Sequence, residues 1–551
     1  MKTLLKITCI ASLLLFTAQC DLLNDDLLED PLATSPEQVN PDFLLNAIQL
    51  NLHEYYSDNA GASSGIELRG RQLTRMTHLQ GGNYQNAYSA QSFNNAWGHA
   101  YNDILIDIEN LLPLAEENDL QFHLGIAKVI QGYVLISLVD FWGDIPWSEA
   151  LDSDNFNPSI DNGEEVYDIA LGILDDAIAD LGNATGQVND LYYPGLTADE
   201  RADRWIRVAN TIKMKALLNM KHIRSVGPEI QALINSGMLI TEPEHDFKFQ
   251  YSSNATNPDS RHPLFEDAYE GTGAVLYIGV TFLNKLLNDK SVPDPRIRYY
   301  FYRQTTQTTS SAQEQPCLAA PPPSHFTDDD PYCQLDQGYW GRDFMITDGI
   351  PPDADKRTVV GVYPAGGAFD ANQGIRLDAG AGLSGSGILP ILMSSYTYFM
   401  KAEAALTVDG VSGDPETLFE TAVERSINSV MDFGSSVADP DFIPGSGLIN
   451  TYIGEVMNRF DSDPMRTIAN EYYIALWGNG YEAYNLMRRT GFPNREDGIQ
   501  PTQTPNPGAF IYSLLYPSNV VTRNSNISQK ASSEHNRVFW DTLGPADKFD
   551  F

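Results

Sequence analysis

One segment constrains the fold of this chain more than any other. Residues 124–141 are apolar at nearly every position, including Ile126, Val129, Ile130, Val134 and Leu138. A helix of this composition has no polar face to offer to water, so both of its flanks must be covered. The segment therefore predicts a stack of helices with residues 124–141 inside it.

Amphipathic periodicity recurs on both sides of this segment. Apolar residues repeat at helical spacing in residues 43–52, 97–112, 164–181, 204–223, 394–406, 415–433, 449–460 and 465–489. Consecutive helices with short connections form antiparallel pairs. We therefore expect a single all-α domain over residues 41–551, with a helical scaffold at 41–240 and further helices and a tail at 391–551.

The middle of the chain lacks this periodicity. Residues 241–390 contain three consecutive prolines at 321–323, three aspartates at 328–330 and a glycine cluster at 380–387. Long irregular segments in a compact domain are usually functional. We expect this loop-rich insertion to carry the ligand site.

The N-terminus has the pattern of an export signal. Lys2 and Lys6 precede an apolar run at residues 7–16, which is too short to span a bilayer, and Cys20 follows. We expect residues 1–19 to be a signal peptide and residues 20–40 an acidic linker tethered by lipid on Cys20. The alternative is a plain secretory signal cut after Ala18; Gln19 is an unusual residue before a lipidated cysteine.

Of the four cysteines, Cys9 lies in the expected signal peptide and Cys20 is the expected anchor, which leaves Cys317 and Cys333, 16 positions apart. In an oxidising compartment a disulfide is the expected pairing. No CxxC motif or histidine pair at ligand spacing indicates a metal site. Asp328 to Asp330, with Asp336, offer hard oxygen ligands for Ca²⁺, but a solvated loop is the preferred interpretation.

Charge and motifs exclude several functional classes. The chain has 73 acidic and 35 basic residues, a net charge of −38 that repels nucleic acid. Residues 380–385 match GxGxxG without the preceding strand that nucleotide binding needs. No nucleophile or zinc-protease motif is present, so we expect neither a cofactor nor an enzyme.

Several motifs occur in a consistent order along the chain. They are GIAK at 125–128, DFWGDIPWSEA at 140–150, WIRVANTIKMK at 205–215, GRD at 341–343, GIPPD at 349–353, GVYPAGG at 361–367, MKAEAA at 400–405, WGNGYEAY at 477–484 and RRTGFP at 488–493. Together they resemble the SusD/RagB family of outer-membrane lipoproteins. The acidic residues after Cys20 resemble the surface-export signal of Bacteroidetes lipoproteins.

This resemblance implies a fold of tetratricopeptide-like helix pairs in one stack, with the site on long loops. It also implies a lipid-anchored protein on the cell surface. Such a protein caps a SusC-like TonB-dependent transporter and hands it oligosaccharides or, in some members, peptides. It implies no catalytic residues. The remaining alternative is a structural or adhesion lipoprotein.

Loop aromatics are the candidate ligand contacts. Sugar rings stack on aromatic faces, while their hydroxyls need polar partners. Two groups meet this description: Tyr339, Trp340, Arg342 and Asp343 in the disulfide region, and Tyr84 with Tyr88 in a polar loop before a helix. The alternative is that these rings pack the insertion onto the scaffold.

Overall fold

The computed structural model describes residues 40–57, 65–270, 276–347, 349, 351–506, 508, 510–531 and 536–543. The predicted signal peptide, Cys20 and nearly all of the acidic linker lie outside the described residues.

Helices dominate the described chain, which confirms the predicted all-α fold. Before the insertion they are α1 (Pro41–Tyr56), α2 (Ile66–Leu73), α3 (Tyr84–Ala87), α4 (Asn94–Gly98), a π-helix (His99–Leu105), α5 (Ile106–Glu117), α6 (Gln121–Trp142), α7 (Gly163–Gly182), α8 (Ala198–Asn219) and α9 (Gly227–Asn235). After it they are α13 (Ser394–Thr407), α14 (Pro415–Gly434), α15 (Ser446–Ser462), α16 (Pro464–Ala475), α17 (Gly480–Thr490) and α18 (Ser518–Arg523).

Helix α6 lies at the centre of the stack, as its composition predicts. It is long and apolar enough to cross a membrane, yet 94% of its most apolar window is buried inside the protein. Gly125 and Gly132 allow α7 to pack closely, because a Cβ at these positions would lie 2.5 Å from Leu181 and 2.8 Å from Leu174. The helix pair α6–α7 is therefore held by glycine-to-leucine contacts.

The structure differs from the sequence pattern at residues 465–489, where one helix was expected. It has two, α16 and α17, with a turn between them. Gly478 has a φ of +96°, which favours glycine, and a Cβ there would meet the Pro364 ring at 2.8 Å. Asn479 then caps α17 by accepting the amide of Glu482. The helix is interrupted here by a glycine conformation, a cap and a contact with the insertion, which apolar periodicity does not reveal.

The insertion is more regular than its composition suggests. It contains α10 (Pro263–Tyr269), α11 (Val280–Asn288) and α12 (Ile297–Tyr300), with strands β1 (Phe247–Gln250), β2 (Phe301–Arg303), β3 (Thr358–Val360) and β4 (Ile388–Leu392). Strand β1 pairs antiparallel with β4, and β2 with β3. Cys317 and Cys333 form a disulfide, with their Cα atoms 5.5 Å apart.

A buried carboxylate joins distant parts of the chain. Asp140, on α6, is fully buried and accepts hydrogen bonds from Tyr167, from Tyr481 at 2.6 Å and from Asn485 at 2.6 Å. The indole of Trp540 donates at 2.9 Å, and the Lys215 ammonium lies 3.4 Å away. Helices α6, α7, α8 and α17 and the C-terminal segment therefore converge on one side chain.

Candidate functional site

The structure buries all six of the predicted ligand contacts. Their exposed fractions lie between 1% and 7%; the residues are Tyr84, Tyr88, Tyr339, Trp340, Arg342 and Asp343. A stacking platform must present a ring face to solvent, so none of these residues forms an open platform in this structure.

Three of them line a small internal cavity beside the disulfide. Trp340, Arg342 and Asp343 enclose about 20 Å³, which holds one water molecule and no sugar ring. The Asp343 carboxylate accepts the amide of Cys333 and, at 2.7 Å, the Nε2 donor of Gln500. Burial raises the pKa of Asp343 to about 6. These contacts fix the insertion to the C-terminal segment.

The other predicted group lies at the same junction. Tyr84 accepts a hydrogen bond from Arg75 at 3.4 Å, and its ring lies 6.3 Å from that of Phe344. Tyr88 donates to Gln72 at 2.8 Å and lies beneath the Arg69 guanidinium. The two groups thus meet where the insertion packs onto the scaffold. This arrangement favours the packing alternative, and ligand contact by these residues stays a prediction.

An open cleft lies elsewhere, over α4, and we call it the α4 cleft. It has a volume of about 280 Å³. Its walls come from three distant parts of the chain: α4 with the π-helix, the loop at residues 146–158, and α18 with the residues that follow it. Sequence periodicity places Trp97 and Tyr101 in a buried helical stripe and does not indicate that this cleft exists.

Cross-wall hydrogen bonds hold the α4 cleft in shape. The Tyr101 hydroxyl donates to the Pro146 carbonyl at 2.6 Å, and Asn524 donates to the Pro158 carbonyl at 2.8 Å. Asn94 accepts the amide of Asn519 at 3.2 Å. Each bond links two of the three walls, so the cleft is formed before any ligand arrives.

A π-helix shapes one wall. Residues His99–Leu105 wind with the wider π repeat between α4 and α5. Such segments are rare and frequently occur at functional sites, because the wider turn changes the direction of side chains. Here it places Tyr101 and Asn102 on the cleft.

The lining combines aromatic surface with hydrogen-bond donors and acceptors, of which only Arg523 is charged. The Phe156 ring is 84% exposed at the rim, while Trp97 and Tyr101 stack 4.8 Å apart at the base. Asn102, Asn519, Asn524 and Arg523 supply polar groups. The cleft thus offers an exposed ring face together with hydrogen-bonding groups to a ligand.

The α4 cleft lacks groups for acid–base chemistry. None of its described lining residues is Asp, Glu, His or Cys. Across the part of the chain that the structure describes, no group of three or more such residues is arranged to hold a metal ion. Asp330, one of the candidate Ca²⁺ ligands, instead pairs with Arg495 at 2.5 Å. The cleft is suited to binding.

Comparison with known proteins places this geometry in context. A family model described as SusD-like, "Starch-binding associating with outer membrane", matches residues 33–316 and 368–517. No curated protein matches the chain.

Solved structures share the fold. A SusD/RagB family protein from Bacteroides thetaiotaomicron is 18% identical, with a TM-score of 0.65 over 92% of this chain and 100% of its own. A chitin-binding SusD homologue from Flavobacterium johnsoniae is 14% identical, with a TM-score of 0.63 over 91% and 99%. A Bacteroides vulgatus outer-membrane protein described as probably involved in nutrient binding is 16% identical, with a TM-score of 0.62 over 91% and 100%.

Proposed function

This chain belongs to the SusD-like family, described as starch-binding and associated with the outer membrane, and we propose that it captures oligosaccharides at the cell surface. In this proposal a lipid on Cys20 anchors the protein, the α4 cleft binds the glycan, and the protein delivers it to a SusC-like TonB-dependent transporter. The ligand is bound without being cleaved.

The α4 cleft is the observation that carries the proposal. An exposed ring at Phe156 and the polar side chains around it match the alternating apolar and hydroxyl surfaces of a sugar, while the buried Trp97–Tyr101 pair supports the base of the cleft. The absence of carboxylates from its described lining supports binding over hydrolysis, because glycosidases generally need two acids flanking the bond.

The likeness to this family supports a glycan rather than a peptide as the ligand. The family model is described by starch binding, and two of the structural neighbours are described as chitin-binding. A peptide-binding or structural role would show itself as binding to peptide arrays, or as no ligand at all.

Binding measurements on cleft variants test the proposal. We expect Phe156→Ala to weaken binding of a glycan identified by array screening by about 2 kcal/mol, or roughly thirtyfold, as for aromatic hot spots. Its stability should not change, because the ring is 84% exposed in the free protein. Arg523→Ala should also weaken binding. Phe43→Ala, which removes another exposed ring, 73% exposed on α1, is the matched control.

The same titrations examine the buried junction. If these residues only pack the insertion onto the scaffold, Trp340→Ala and Tyr84→Ala should lower stability and leave glycan affinity unchanged. If they abolish binding while folded, and Phe156→Ala binds normally, the site lies at the junction. Shortening of the glycan over time would contradict a purely binding function.

The anchor has its own test. Mass spectrometry should find an acylated Cys20 at the mature N-terminus, and Cys20→Ala should release the protein from the membrane. An unmodified N-terminus at Gln19 would contradict the anchor.

A further inference from the structure

One charged side chain lies among the aromatic and neutral groups of the α4 cleft. Arg523, the last residue of α18, lines the cleft and is exposed. No other lining residue that the structure describes carries a charge. A guanidinium presents several N–H donors in a planar fork that fits the paired oxygens of an acidic group. Arg523 therefore bears on the class of sugar that the cleft accepts.

The side chain of Arg523 has no partner within the described part of the chain. It makes no hydrogen bond or ion pair with any residue there. Every other described arginine contacts an acid, a carbonyl oxygen or another partner. The chain has 73 acidic and 35 basic residues, so carboxylates are plentiful. An arginine that stays free in such a chain needs a structural cause.

The cause lies in the neighbouring wall, whose acidic residues do not line the cleft. In the loop at residues 146–158, Glu149 accepts the backbone amide of Ser159 at 2.9 Å. Asp152 accepts the backbone amide of Asp154, also at 2.9 Å. None of the three carboxylates of Glu149, Asp152 and Asp154 is part of the lining. This wall therefore leaves the charge of Arg523 available to a ligand.

The backbone that carries Arg523 is fixed to the same wall. The side chain of Asn524 donates to the Pro158 carbonyl at 2.8 Å, and the backbone amide of Ser525 donates to the Asn157 side chain at 2.9 Å. These two bonds follow Arg523 directly in the chain and hold its backbone in place before any ligand arrives. A site that is already positioned loses less entropy when it binds.

We propose that the α4 cleft selects glycans that carry an anionic group, a carboxylate or a sulfate, with Arg523 as its counter-ion. The side-chain amides of Asn102 and Asn519 line the same cleft and make no hydrogen bond with other described residues. An acidic group has several oxygen atoms, which can accept from a guanidinium and from amides together. This inference rests on the proposed function and specifies its class of sugar.

The charge of the whole protein opposes this selection. A net charge of −38 repels anions at long range. A preference for an anionic glycan therefore cannot come from general attraction to the surface, and it has to come from groups at the site itself.

Matched probes test the requirement for a negative charge. A glycan array carries oligogalacturonate beside its methyl ester, carrageenan oligosaccharides beside their desulfated forms, and a set of neutral glycans. We expect the charged member of at least one pair to bind about tenfold more tightly than its neutral counterpart, as for a charge-assisted hydrogen bond. The pair that shows the preference distinguishes a carboxylate from a sulfate. Retention of neutral glycans only, or equal binding within each pair, would overturn the proposal.

Variants assign the preference to one side chain. Arg523→Gln removes the charge and keeps an N–H donor, so it should abolish the preference with little change in affinity for the neutral member. Arg523→Lys keeps the charge without the planar fork and should retain part of the preference. Arg224→Gln removes a positive charge outside the cleft and should leave the preference unchanged. A preference that persists in Arg523→Gln would sink the proposal.

Phe156→Ala separates this inference from the proposed function. Loss of the ring should weaken both members of a pair equally, because stacking does not depend on the charge of the sugar. If Phe156→Ala weakens binding while Arg523→Gln leaves the ratio within each pair unchanged, the selection for anions is wrong and glycan capture stands. If the wild-type protein retains no glycan at all, the proposed function itself fails.

Discussion

Removing the Asp140 carboxylate should be the most damaging single polar change in the helical stack. Four neutral groups donate hydrogen bonds to it, from Tyr167, Tyr481, Asn485 and Trp540, and an ammonium lies nearby. In Asp140→Ala these buried donors lose their acceptor. A hydrogen bond to a charged group contributes about 1.5 to 3 kcal/mol. Breaking a buried ion pair costs about 3 to 5 kcal/mol.

These contributions are not additive, because water entering the space left by the carboxylate satisfies some of the donors. We therefore expect Asp140→Ala to lower the free energy of unfolding by about 5 kcal/mol. Asp140→Asn keeps one acceptor oxygen for part of the network and should cost about half as much. Lys215 retains Glu482 at 3.3 Å in both variants, which limits the loss.

Urea denaturation followed by circular dichroism measures the effect, with the slope of the transition checked for two-state behaviour. Asp175→Ala is the control. It also removes an aspartate that faces a lysine, but its side chain is 63% exposed on α7. An exposed pair contributes at most about 1 kcal/mol. If Asp140→Ala lowered the free energy of unfolding no more than Asp175→Ala, the hydrogen bonds to Asp140 would not be what holds these helices together.

Three other predictions concern separate features. Denatured protein from an oxidising compartment should show no free thiol at Cys317 or Cys333, and two free thiols would refute the disulfide. Closing this loop contributes about 3 kcal/mol in the chain-entropy model, so reduction should speed hydrogen exchange mainly within the insertion. Gly70→Ala should lower the melting temperature strongly, because its Cβ would lie 1.9 Å from the Gly480 carbonyl oxygen. A melting temperature like that of the wild type would show that α2 and α17 can separate. Burial lowers the pKa of His78 to about 3, so the folded protein excludes a proton that the unfolded chain binds below pH about 6.5. Stability from this group is complete above that pH and lost as pH falls. The stability advantage of wild type over His78→Gln should therefore shrink by about 3 kcal/mol between pH 7 and pH 4 in urea titrations, and a constant difference would show that His78 is protonated in the fold.

Much of the helical scaffold is predictable from the sequence because apolar periodicity reports directly on burial. The segment at 124–141 became α6, and residues 415–433 became α14, within a few residues. The turn between α16 and α17 was not predictable in this way, because it depends on Gly478 meeting proline rings from the insertion. Local pattern determines helices, whereas breaks depend on contacts with distant residues.

The candidate site was less predictable for the same reason. Aromatic residues in a loop can stack on a ligand or anchor the loop, and composition does not distinguish the two. Trp340 is buried within the insertion with 3% of its surface exposed, while Phe156, an unremarkable loop residue in the sequence, has 84% exposed. The α4 cleft needs three separate segments, at residues 94–102, 146–158 and 517–527, and only the folded chain brings them together.

Hydrogen bonds between residues far apart in the sequence also determine when this protein can complete its folding. The hydrogen bond between Asp140 and Trp540 cannot form until the ribosome has added 400 more residues. The bonds from Tyr56 to Asn479 and from Arg75 to Gln500 are similarly late. Contacts of such long range are slow to form. The first helices therefore emerge with buried polar groups that still lack some of their partners, and we expect them to stay loosely folded until the rest of the chain is present. A nascent chain released early contains the helices of the scaffold but lacks the C-terminal residues that complete their buried hydrogen bonds.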